Sequence, residues 1–536
     1  MLSRSSTCAL LTCTLAFLPA CAGDPERLEA PLDAPTPTPQ PGPEPPAPLQ
    51  LTWSPCDLFS GGAGDGTATC TELEVPLTWD DPAGRTLTLF VKRLQATAPR
   101  RGALLLLDGG PGGGSVGPEG VAHDLAQRDP GLDVYLPHHR GTGLSTRLSC
   151  AGDAPGSESG VLITDAEWPA CIDELQQQWG AGLSAFNTTE AARDLGALVA
   201  AIQAEHPEEQ TFVLGSSYGT YLANRYLTLH PDQPTAVIYD SICPPDACHL
   251  DEFDVLYDQV ATEFLALCGA DATCSSHLGP DPRARLATLY DALDAGHCPA
   301  LGDRGVDRSL LRKVLGILLN DWNLRLAIPA VIRRVERCSN DDLTALDHLL
   351  DLLSSDPQTP SPFLTAWSFP LQNNILFSEL WSAPPPPVAD ILAAAEATLI
   401  SQGTTLQEAD LFTVWPRYER DAHFGQWAST TVPLLMMNGD LDPATPITLA
   451  ERVADHHTAP GQTFVRLPRS PHGVLTGSPI HPNGETCGTA LLLAFLADPH
   501  APLDTSCKDQ VLPLNFAGAP WLAQALFGTS DFYGLP

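Results

Sequence analysis

The sequence predicts an α/β fold: a mostly parallel central sheet with helices on both faces and an inserted helical cap. Short apolar runs, several ending at glycine, recur along the chain as TLTLFVKRL, ALLLLDGG, LDVYLP, TFVLG, TAVIYD, VPLLMMNGD and TFVRLP. Such runs are typical of parallel strands that are buried on both faces. Helical patterns such as TTEAARDLGALVAAIQAEH lie between the runs, and this alternation favours α/β architecture. Residues 245–425 carry mainly helical patterns and no run of the strand kind, so we interpret them as a cap inserted between two strands.

The chain has 536 residues, which suffices for one large domain with an insertion or for two domains. A proline-rich stretch near the N-terminus cannot form helix or sheet and is typical of an extended tether. We therefore predict a lipoprotein-type signal peptide at 1–21, a linker at 22–50, the first part of the core at 51–244, the cap at 245–425 and the C-terminal part of the core at 426–536.

The first residues have the pattern of a secretory signal. Arg4 supplies a positive charge, and the apolar run from Cys8 to Phe17 is too short to span a bilayer. The letters LPAC end at Cys21 and resemble a bacterial lipobox, in which the cysteine is lipidated and becomes the new N-terminus. Ordinary cleavage after Ala22 is the alternative. We expect export to the cell envelope with a lipid anchor to the membrane, or a secreted or periplasmic protein if cleavage follows Ala22.

Charge and cysteine content narrow the class of protein further. The formal net charge of −36 would repel phosphate backbones, so nucleic acid is not an expected partner. Twelve cysteines remain once Cys8, Cys13 and Cys21 are set aside, and many lie close together in sequence, which favours disulfides in an oxidising compartment. Metal binding is the alternative, but the sequence contains no CxxC pair and no His-Cys cluster at the spacing of metal ligands, so no metal is expected.

Ser217 is the candidate nucleophile. It stands in the frame Gly215-x-Ser217-x-Gly219, directly after a predicted strand and directly before a predicted helix. A nucleophile elbow needs this context, because small neighbours let the backbone turn sharply and the helix N-terminus favours developing negative charge. By itself the frame fits a glycine-serine loop equally well.

An acid and a base follow in the order that a serine hydrolase of this topology needs. The run VPLLMMNGD leads into a turn with Asp440 and Asp442, and TFVRLP leads to His472. We predict His472 as general base and Asp442 as the acid that orients it, with Asp440 as a turn former. Other histidines compete for the role of base, but only His472 follows the strand after the acidic turn.

A glycine-rich loop upstream is the candidate oxyanion hole. LLLLDGGPGGG ends a predicted strand, and the backbone N–H groups of Gly109 and Gly110, together with that of Tyr218, are the predicted donors. A dinucleotide or phosphate loop is the alternative, but GxGxxG and the lysine of a Walker loop are both absent, so no cofactor is expected.

Taken together, these motifs resemble the proline-iminopeptidase and tripeptidyl-aminopeptidase (TAP-like) branch of the α/β hydrolases. GGPG, RGTGLS (Arg140 to Ser145), GDLDPATP and PHGVL match its motifs over roughly residues 51–515. The resemblance implies an α/β-hydrolase fold and hydrolysis of peptides from a free N-terminus. It also implies disulfides between Cys56 and Cys70, Cys150 and Cys171, Cys268 and Cys274, and Cys487 and Cys507, and leaves the pairing of Cys243, Cys248, Cys298 and Cys338 open.

The chain departs from this branch at two places. His138 stands where the branch usually has aspartate, and Phe377 and Phe412 stand where some members have cysteines. A free substrate ammonium would need a carboxylate, for which Glu379 in the cap is a candidate, although a solvated glutamate is the simpler interpretation.

Three functions remain open from the sequence. The first is an exported serine aminopeptidase acting on peptides, the second a carboxylesterase acting on small esters with the same scaffold, and the third a non-catalytic surface lipoprotein. Fold and triad do not separate the first two, since function depends on the cap pocket. The oligomeric state is likewise open.

Overall fold

A mostly parallel sheet forms the centre of the part of the chain that the structure describes. The computed structural model describes residues 49–536 apart from 63, 158–159, 355–359, 483 and 535–536. Within them the strands are β1 Ser54–Cys56, β2 Ala68–Pro76, β3 Thr86–Leu94, β4 Gly102–Leu107, β5 Leu132–His138, β6 Gln210–Ser217, β7 Ala236–Ile242, β8 Leu434–Gly439 and β9 Gln462–Leu467. Their order is β1-β2-β3-β5-β4-β6-β7-β8-β9. Strands β1, β2, β3 and β5 pair antiparallel, and every pairing from β5 onward is parallel. The predicted α/β fold is confirmed.

Helices cover both faces of the sheet and fill the insertion. Their bounds are α1 Glu119–Arg128, α2 Trp168–Trp179, α3 Thr188–Glu205, α4 Tyr218–Leu229, α5 Phe253–Ala270, α6 Ala272–Leu278, α7 Pro282–Asp294, α8 Pro299–Gly302, α9 Arg308–Leu319, α10 Ile328–Arg337, α11 Asn340–Leu353, α12 Pro362–Ala366, α13 Phe369–Ser378, α14 Val388–Glu396, α15 Thr404–Phe412, α16 Ile447–Ala450, α17 Arg452–His456, α18 Val474–Gly477, α19 Cys487–Ala497 and α20 Pro520–Phe527.

The two faces of the sheet carry separate apolar cores. Side chains alternate across a strand, so in β4 Leu105 points to one face and Leu106 to the other, and both are buried. The face of Leu105 packs against α3 and α4, and the face of Leu106 packs against α1 and α19. Both faces of β4 are therefore dry, as its unbroken apolar sequence predicts.

The chain between β7 and β8 is helical, and its described residues contain no strand. Helices α5 to α11 share an apolar core with α20, distinct from the two cores on the sheet. Residues of α13 and α15 instead join the core on the α3/α4 face. The boundaries proposed for the cap at residues 245 and 425 stay predictions.

Every cysteine among the described residues forms a disulfide. The pairs are Cys56–Cys70, Cys150–Cys171, Cys243–Cys248, Cys268–Cys274, Cys298–Cys338 and Cys487–Cys507. The four pairs that the family resemblance implies are all present. The structure adds Cys243–Cys248 after β7 and Cys298–Cys338 within the insertion, which the sequence left open.

The predicted signal peptide, Cys21 and almost all of the linker lie outside the described residues. Among the helices that the structure describes, none combines the length and the apolar character needed to cross a bilayer.

Candidate active site

Ser217 lies on a sharp strand-to-helix turn, the last residue of β6 and the one before α4. Its backbone has φ 56° and ψ −127°, a conformation that costs energy for any residue with a side chain. A Cβ on Gly215 would lie 2.2 Å from the carbonyl oxygen of Gly219, and one on Gly219 would lie 2.3 Å from that of Leu107. The turn therefore requires both glycines, and it holds Ser217 at the carboxyl edge of the sheet.

His472 and Asp442 form a hydrogen-bonded pair on neighbouring loops. The Nδ1 atom of His472 lies 3.0 Å from each carboxylate oxygen of Asp442. Asp442 is fully buried, and its carboxylate accepts hydrogen bonds from the backbone N–H of Ala444 and from the N–H and hydroxyl of Thr445. A carboxylate at Nδ1 keeps the proton on that nitrogen, so Nε2 is left as the acceptor that a serine nucleophile needs.

The pKa of His472 reports the same pairing. Burial lowers the pKa of the imidazole, but the charge and hydrogen bond of Asp442 raise it, with a smaller contribution from the charge of Asp240, and the result lies above the ordinary value. An imidazole with a raised pKa is a stronger base toward a serine hydroxyl.

Two further polar residues hold the loop that carries His472. At the end of β7, the hydroxyl of Ser241 accepts a hydrogen bond from the N–H of Gly473 at 2.7 Å. Beside it, Asp240 accepts from the N–H groups of Val474 and Leu475 at 2.8 and 3.3 Å. This support was not predicted from the sequence, although an acidic residue at the end of the apolar run TAVIYD is a signal that could have suggested it.

The glycine-rich loop after β4 lies against Ser217 and carries Gly109 and Gly110, two of the predicted oxyanion donors. The N–H of Gly109 donates to the carboxylate of Asp108 at 2.8 Å, so it is already occupied. The backbone of Gly110 has φ 121°, a value that only glycine adopts readily. Gly110 lines the same cavity as Tyr218, the first residue of α4. The first N–H groups of a helix have no partner within the helix. The oxyanion hole stays a prediction, in which Gly110 and Tyr218 are the remaining candidate donors.

Asp108 shapes this loop and was not predicted. Besides Gly109, its carboxylate accepts from the N–H of Ser115 at 3.1 Å. Burial raises the pKa of Asp108 to about 6, although the backbone hydrogen bonds act in the opposite direction. The carboxylate therefore ties the two ends of the glycine-rich loop together.

A cavity of ≈ 460 Å³ contains Ser217 and His472 in its wall. Much of the rest of the wall is apolar and comes from the insertion, including Phe253, Leu256 and Leu376. Among its described lining residues, Asp108 is the sole carboxylate, and lysine and arginine are absent. Within the described part of the chain no group of three or more metal-ligating side chains is placed to hold a metal ion.

The structure corrects the role expected for Glu379. Its carboxylate is buried and pairs with Arg225 at 3.1 Å, and it accepts hydrogen bonds from the hydroxyls of Tyr221 and Tyr418 and from the N–H of Thr188. It lies in the wall of another cavity, away from Ser217. Because Arg225 neutralises it, Glu379 is neither the solvated glutamate of the simpler interpretation nor available to a substrate ammonium.

His138, the departure from the family pattern, is packed behind the site. Its Nδ1 accepts from the N–H of Leu144 at 3.1 Å, and burial lowers its pKa to about 3, so the ring is neutral. Phe377 and Phe412, the other departure, pack edge to face with ring centroids 5.8 Å apart. None of these three residues lines the Ser217 cavity.

Two family models match the chain. Residues 102–262 match the α/β hydrolase fold model, and residues 403–507 match the model described as TAP-like protein. This chain has an α/β-hydrolase region and a TAP-like region. The first match covers β4 to the middle of α5, with Ser217, and the second covers Asp442 and His472.

Curated relatives include two peptidases. Serine protease Hip1 of Mycobacterium tuberculosis is 28% identical over 264 residues, which cover 45% of this chain and 49% of that protein. Tripeptidyl aminopeptidase of Streptomyces lividans is 30% identical over 194 residues, which cover 33% of this chain and 35% of that protein. Carboxylesterase B of M. tuberculosis is 36% identical over 110 residues, covering 20% and 21%. The chain thus spans about half, or less, of the length of these relatives.

Proposed function

We propose that this α/β hydrolase is an exported serine peptidase that cleaves peptides from a free N-terminus, of prolyl or tripeptidyl aminopeptidase type. The observation that carries the proposal is that His472, paired with the buried Asp442, lines the same cavity as Ser217 on its strained turn. Similarity to a serine protease and to a tripeptidyl aminopeptidase supports peptide as the substrate class.

The proposed reaction proceeds through an acyl-enzyme. Ser217 Oγ attacks the scissile carbonyl carbon while its proton passes to Nε2 of His472, and the carbonyl oxygen becomes an oxyanion facing the N–H groups of Gly110 and Tyr218. The C–N bond then breaks, and His472 gives the proton to the departing nitrogen. Water attacks the ester in the same way, with His472 as base, and releases the acid and Ser217. Asp442 stays ionised throughout and stabilises the imidazolium.

The insertion supplies the specificity of the proposed enzyme. Its apolar side chains in the cavity wall suit uncharged side chains of the acyl portion. With Glu379 excluded, the polar acceptors left for a substrate ammonium in this wall include Asp108 and the carboxamides of Asn320 and Gln402.

A substrate panel tests the proposal. Aminoacyl- and tripeptidyl-nitroanilides with free and with blocked N-termini are compared with short nitrophenyl esters, using wild type, Ser217→Ala and His472→Ala. We expect turnover of free-amine anilides, labelling of Ser217 by a fluorophosphonate, and loss of both in Ser217→Ala. Wild-type turnover by His472→Ala would contradict the triad.

Carboxylesterase activity is the second candidate, and the local similarity to Carboxylesterase B favours it. Hydrolysis of the esters alone, with no anilide cleaved, would establish it in place of the peptidase. Absence of fluorophosphonate labelling would instead indicate a non-catalytic lipoprotein.

Export and anchoring form a separate part of the proposal. Lipidation of Cys21 places two or more acyl chains on one residue, which is enough for stable membrane attachment. Detergent phase partition of the wild type and of Cys21→Ser tests it: we expect the wild type in the detergent phase and the variant in the aqueous phase. An aqueous wild type would favour cleavage after Ala22.

A further inference from the structure

A second cavity of ≈ 570 Å³ also borders His472. His472 is in the wall of both. The chain that follows α9 also borders both, since Asn320 lines the Ser217 cavity and Asp321 and Trp322 line the second. The two spaces therefore meet along a boundary made by His472 and the turn after α9.

The proposed reaction places different parts of the substrate against Ser217 and against His472. The acyl portion becomes bonded to Ser217 and stays in its cavity. The departing nitrogen receives its proton from His472, so the chain attached to that nitrogen must lie against the imidazole. We propose that the second cavity, which we name the leaving-group cavity, binds the portion of the peptide that follows the scissile bond, and that it prefers an apolar or aromatic first side chain. This inference rests on the proposed function.

The walls of the leaving-group cavity carry the preference. They include the rings of Trp322 and Trp521 and the side chains of Leu326 and Leu522. Trp521 is 63% exposed, so much of its ring is free to stack on an incoming side chain. The guanidinium of Arg325 lies 4.5 Å from the centroid of the Trp322 ring, which fixes that ring in place.

Charge disfavours an acidic residue at this position. Lysine and arginine are absent from the described residues that line the leaving-group cavity, whereas Asp321 is present. The carboxylate of Asp321 accepts hydrogen bonds from the backbone N–H groups of Asn323 and Leu324, and these bonds hold the side chain in the turn after α9. Apart from His472 and His481, the ionisable side chain among these described lining residues is the acid Asp321, so a carboxylate on the leaving peptide would face like charge there.

Acyl transfer to added amines measures this cavity directly. A peptidyl ester forms the acyl-enzyme, and water and an amino-acid amide then compete for it; the amide occupies the position of the leaving peptide. The readout is the ratio of the aminolysis product to the hydrolysis product, with leucinamide, tryptophanamide, glycinamide and aspartic acid α-amide as probes. We expect the ratio to be about tenfold higher for leucinamide and tryptophanamide than for glycinamide, and lowest for the aspartyl amide.

Trp521→Ala tests the assignment to this wall. We expect it to lower the ratio for tryptophanamide to within about threefold of that for glycinamide. Phe59→Ala is the matched control, because Phe59 is also an exposed aromatic residue but does not line either cavity, and it should keep the wild-type ratios. Melting curves check that the Trp521→Ala variant folds. If the variant does not fold, the ranking of the four amides with the wild-type enzyme still tests the predicted preference for apolar and aromatic side chains.

Equal ratios for the four amides, or a Trp521→Ala ratio for tryptophanamide like that of wild type, would overturn the inference. If either result is obtained while the fluorophosphonate still labels Ser217 and the ester is still hydrolysed, the inference fails but the proposed function does not. If no acyl-enzyme forms and the fluorophosphonate does not label Ser217, the proposed function and the inference fail together.

Discussion

Replacement of Asp442 by asparagine is the sharpest test of the proposed triad, because the structure defines what the new amide would do. One carboxylate oxygen accepts the N–H groups of Ala444 and Thr445 at 3.0 and 2.8 Å. In asparagine the amide oxygen can accept the same two backbone hydrogen bonds. The NH₂ group then takes the place of the second carboxylate oxygen, which lies beside Nδ1 of His472 and the hydroxyl of Thr445. The turn is then preserved, and of the two atoms that lie 3.0 Å from the imidazole one changes from an acceptor to a donor.

The size of the effect follows from the tautomer. An NH₂ group at Nδ1 is a donor, so the imidazole proton moves to Nε2, and His472 can no longer accept the proton of Ser217. We expect kcat/KM to fall about 10⁴-fold, which corresponds to about 5.5 kcal/mol of transition-state stabilisation. Stability should change little, because the backbone hydrogen bonds of the turn survive.

The pH dependence provides a second readout with a defined sign. In the wild type, burial lowers the pKa of His472 but Asp442 raises it, and the net result is a pKa above the ordinary value. Since neutral His472 is the base, activity is present above this raised pKa and is lost as the pH falls through it. Asp442→Asn removes the negative charge, so the acid limb of its residual activity should move to lower pH.

The assay is a kcat/KM profile from pH 5 to 9 with the best substrate of the panel. Asp440→Asn is the matched control, because this aspartate belongs to the same turn and its carboxylate accepts the N–H of Arg469, not the imidazole. We expect Asp440→Asn to stay within about tenfold of wild type, well short of the loss caused by a wrong tautomer. An Asp442→Asn variant with more than a tenth of wild-type activity, or a larger loss in Asp440→Asn, would refute the assignment of the acid.

Three further changes test other parts of the structure. Glu379→Gln removes the buried counter-charge of Arg225, so we expect calorimetry to show a loss of about 3 kcal/mol in the free energy of unfolding; a raised KM for free-amine substrates only would return Glu379 to the substrate site. Replacing Cys298 and Cys338 by alanine opens a 40-residue loop and should cost about 4 kcal/mol in denaturant unfolding, while an unchanged midpoint would show that the insertion does not need the bridge. Gly215→Ala places a Cβ 2.2 Å from a carbonyl oxygen in the first turn of α4, so fluorophosphonate labelling should slow about 100-fold, and wild-type labelling would contradict the strained turn.

Much of the parallel part of the sheet could be predicted from the sequence, because strands such as β4 and β8 are buried on both faces and are therefore largely apolar runs. Strand β2 could not be found by that signal. It lies in the antiparallel part, where Leu73 and Val75 are buried and Glu72 and Glu74 are exposed. Alternation of apolar and polar residues is its signature, and a search for continuous runs passes over it.

Candidate site residues were predictable to the extent that they follow strands. The carboxyl ends of parallel strands meet at one edge of a sheet, so Ser217, Asp442 and His472 could be expected near one another from their strands alone. Glu379 could not be placed in this way, because its surroundings depend on how the insertion packs on α4. The occupied N–H of Gly109 depends on the side-chain conformation of Asp108, for which the chain order carries no signal.

In the proposed enzyme, the residues that set the reaction rate lie at the ends of the strands, whereas many of those that set the specificity lie in the insertion. Strands β6, β7, β8 and β9 are neighbours in the sheet, and their ends carry in turn Ser217, the Asp240–Ser241 support, Asp442 and His472. Neighbouring strands are about 4.8 Å apart, so the strand order places the loops that carry these residues side by side at one edge of the sheet.

The insertion contributes to the walls of both cavities instead, through residues such as Phe253 in the Ser217 cavity and Trp322 in the leaving-group cavity. Substitutions at the strand ends should therefore change kcat for every substrate together. Substitutions in the cavity walls should change the ranking of substrates while fluorophosphonate labelling of Ser217 continues. A wall substitution that abolished labelling in a folded protein would show that the insertion also orders the nucleophile, and the separation would then be incomplete.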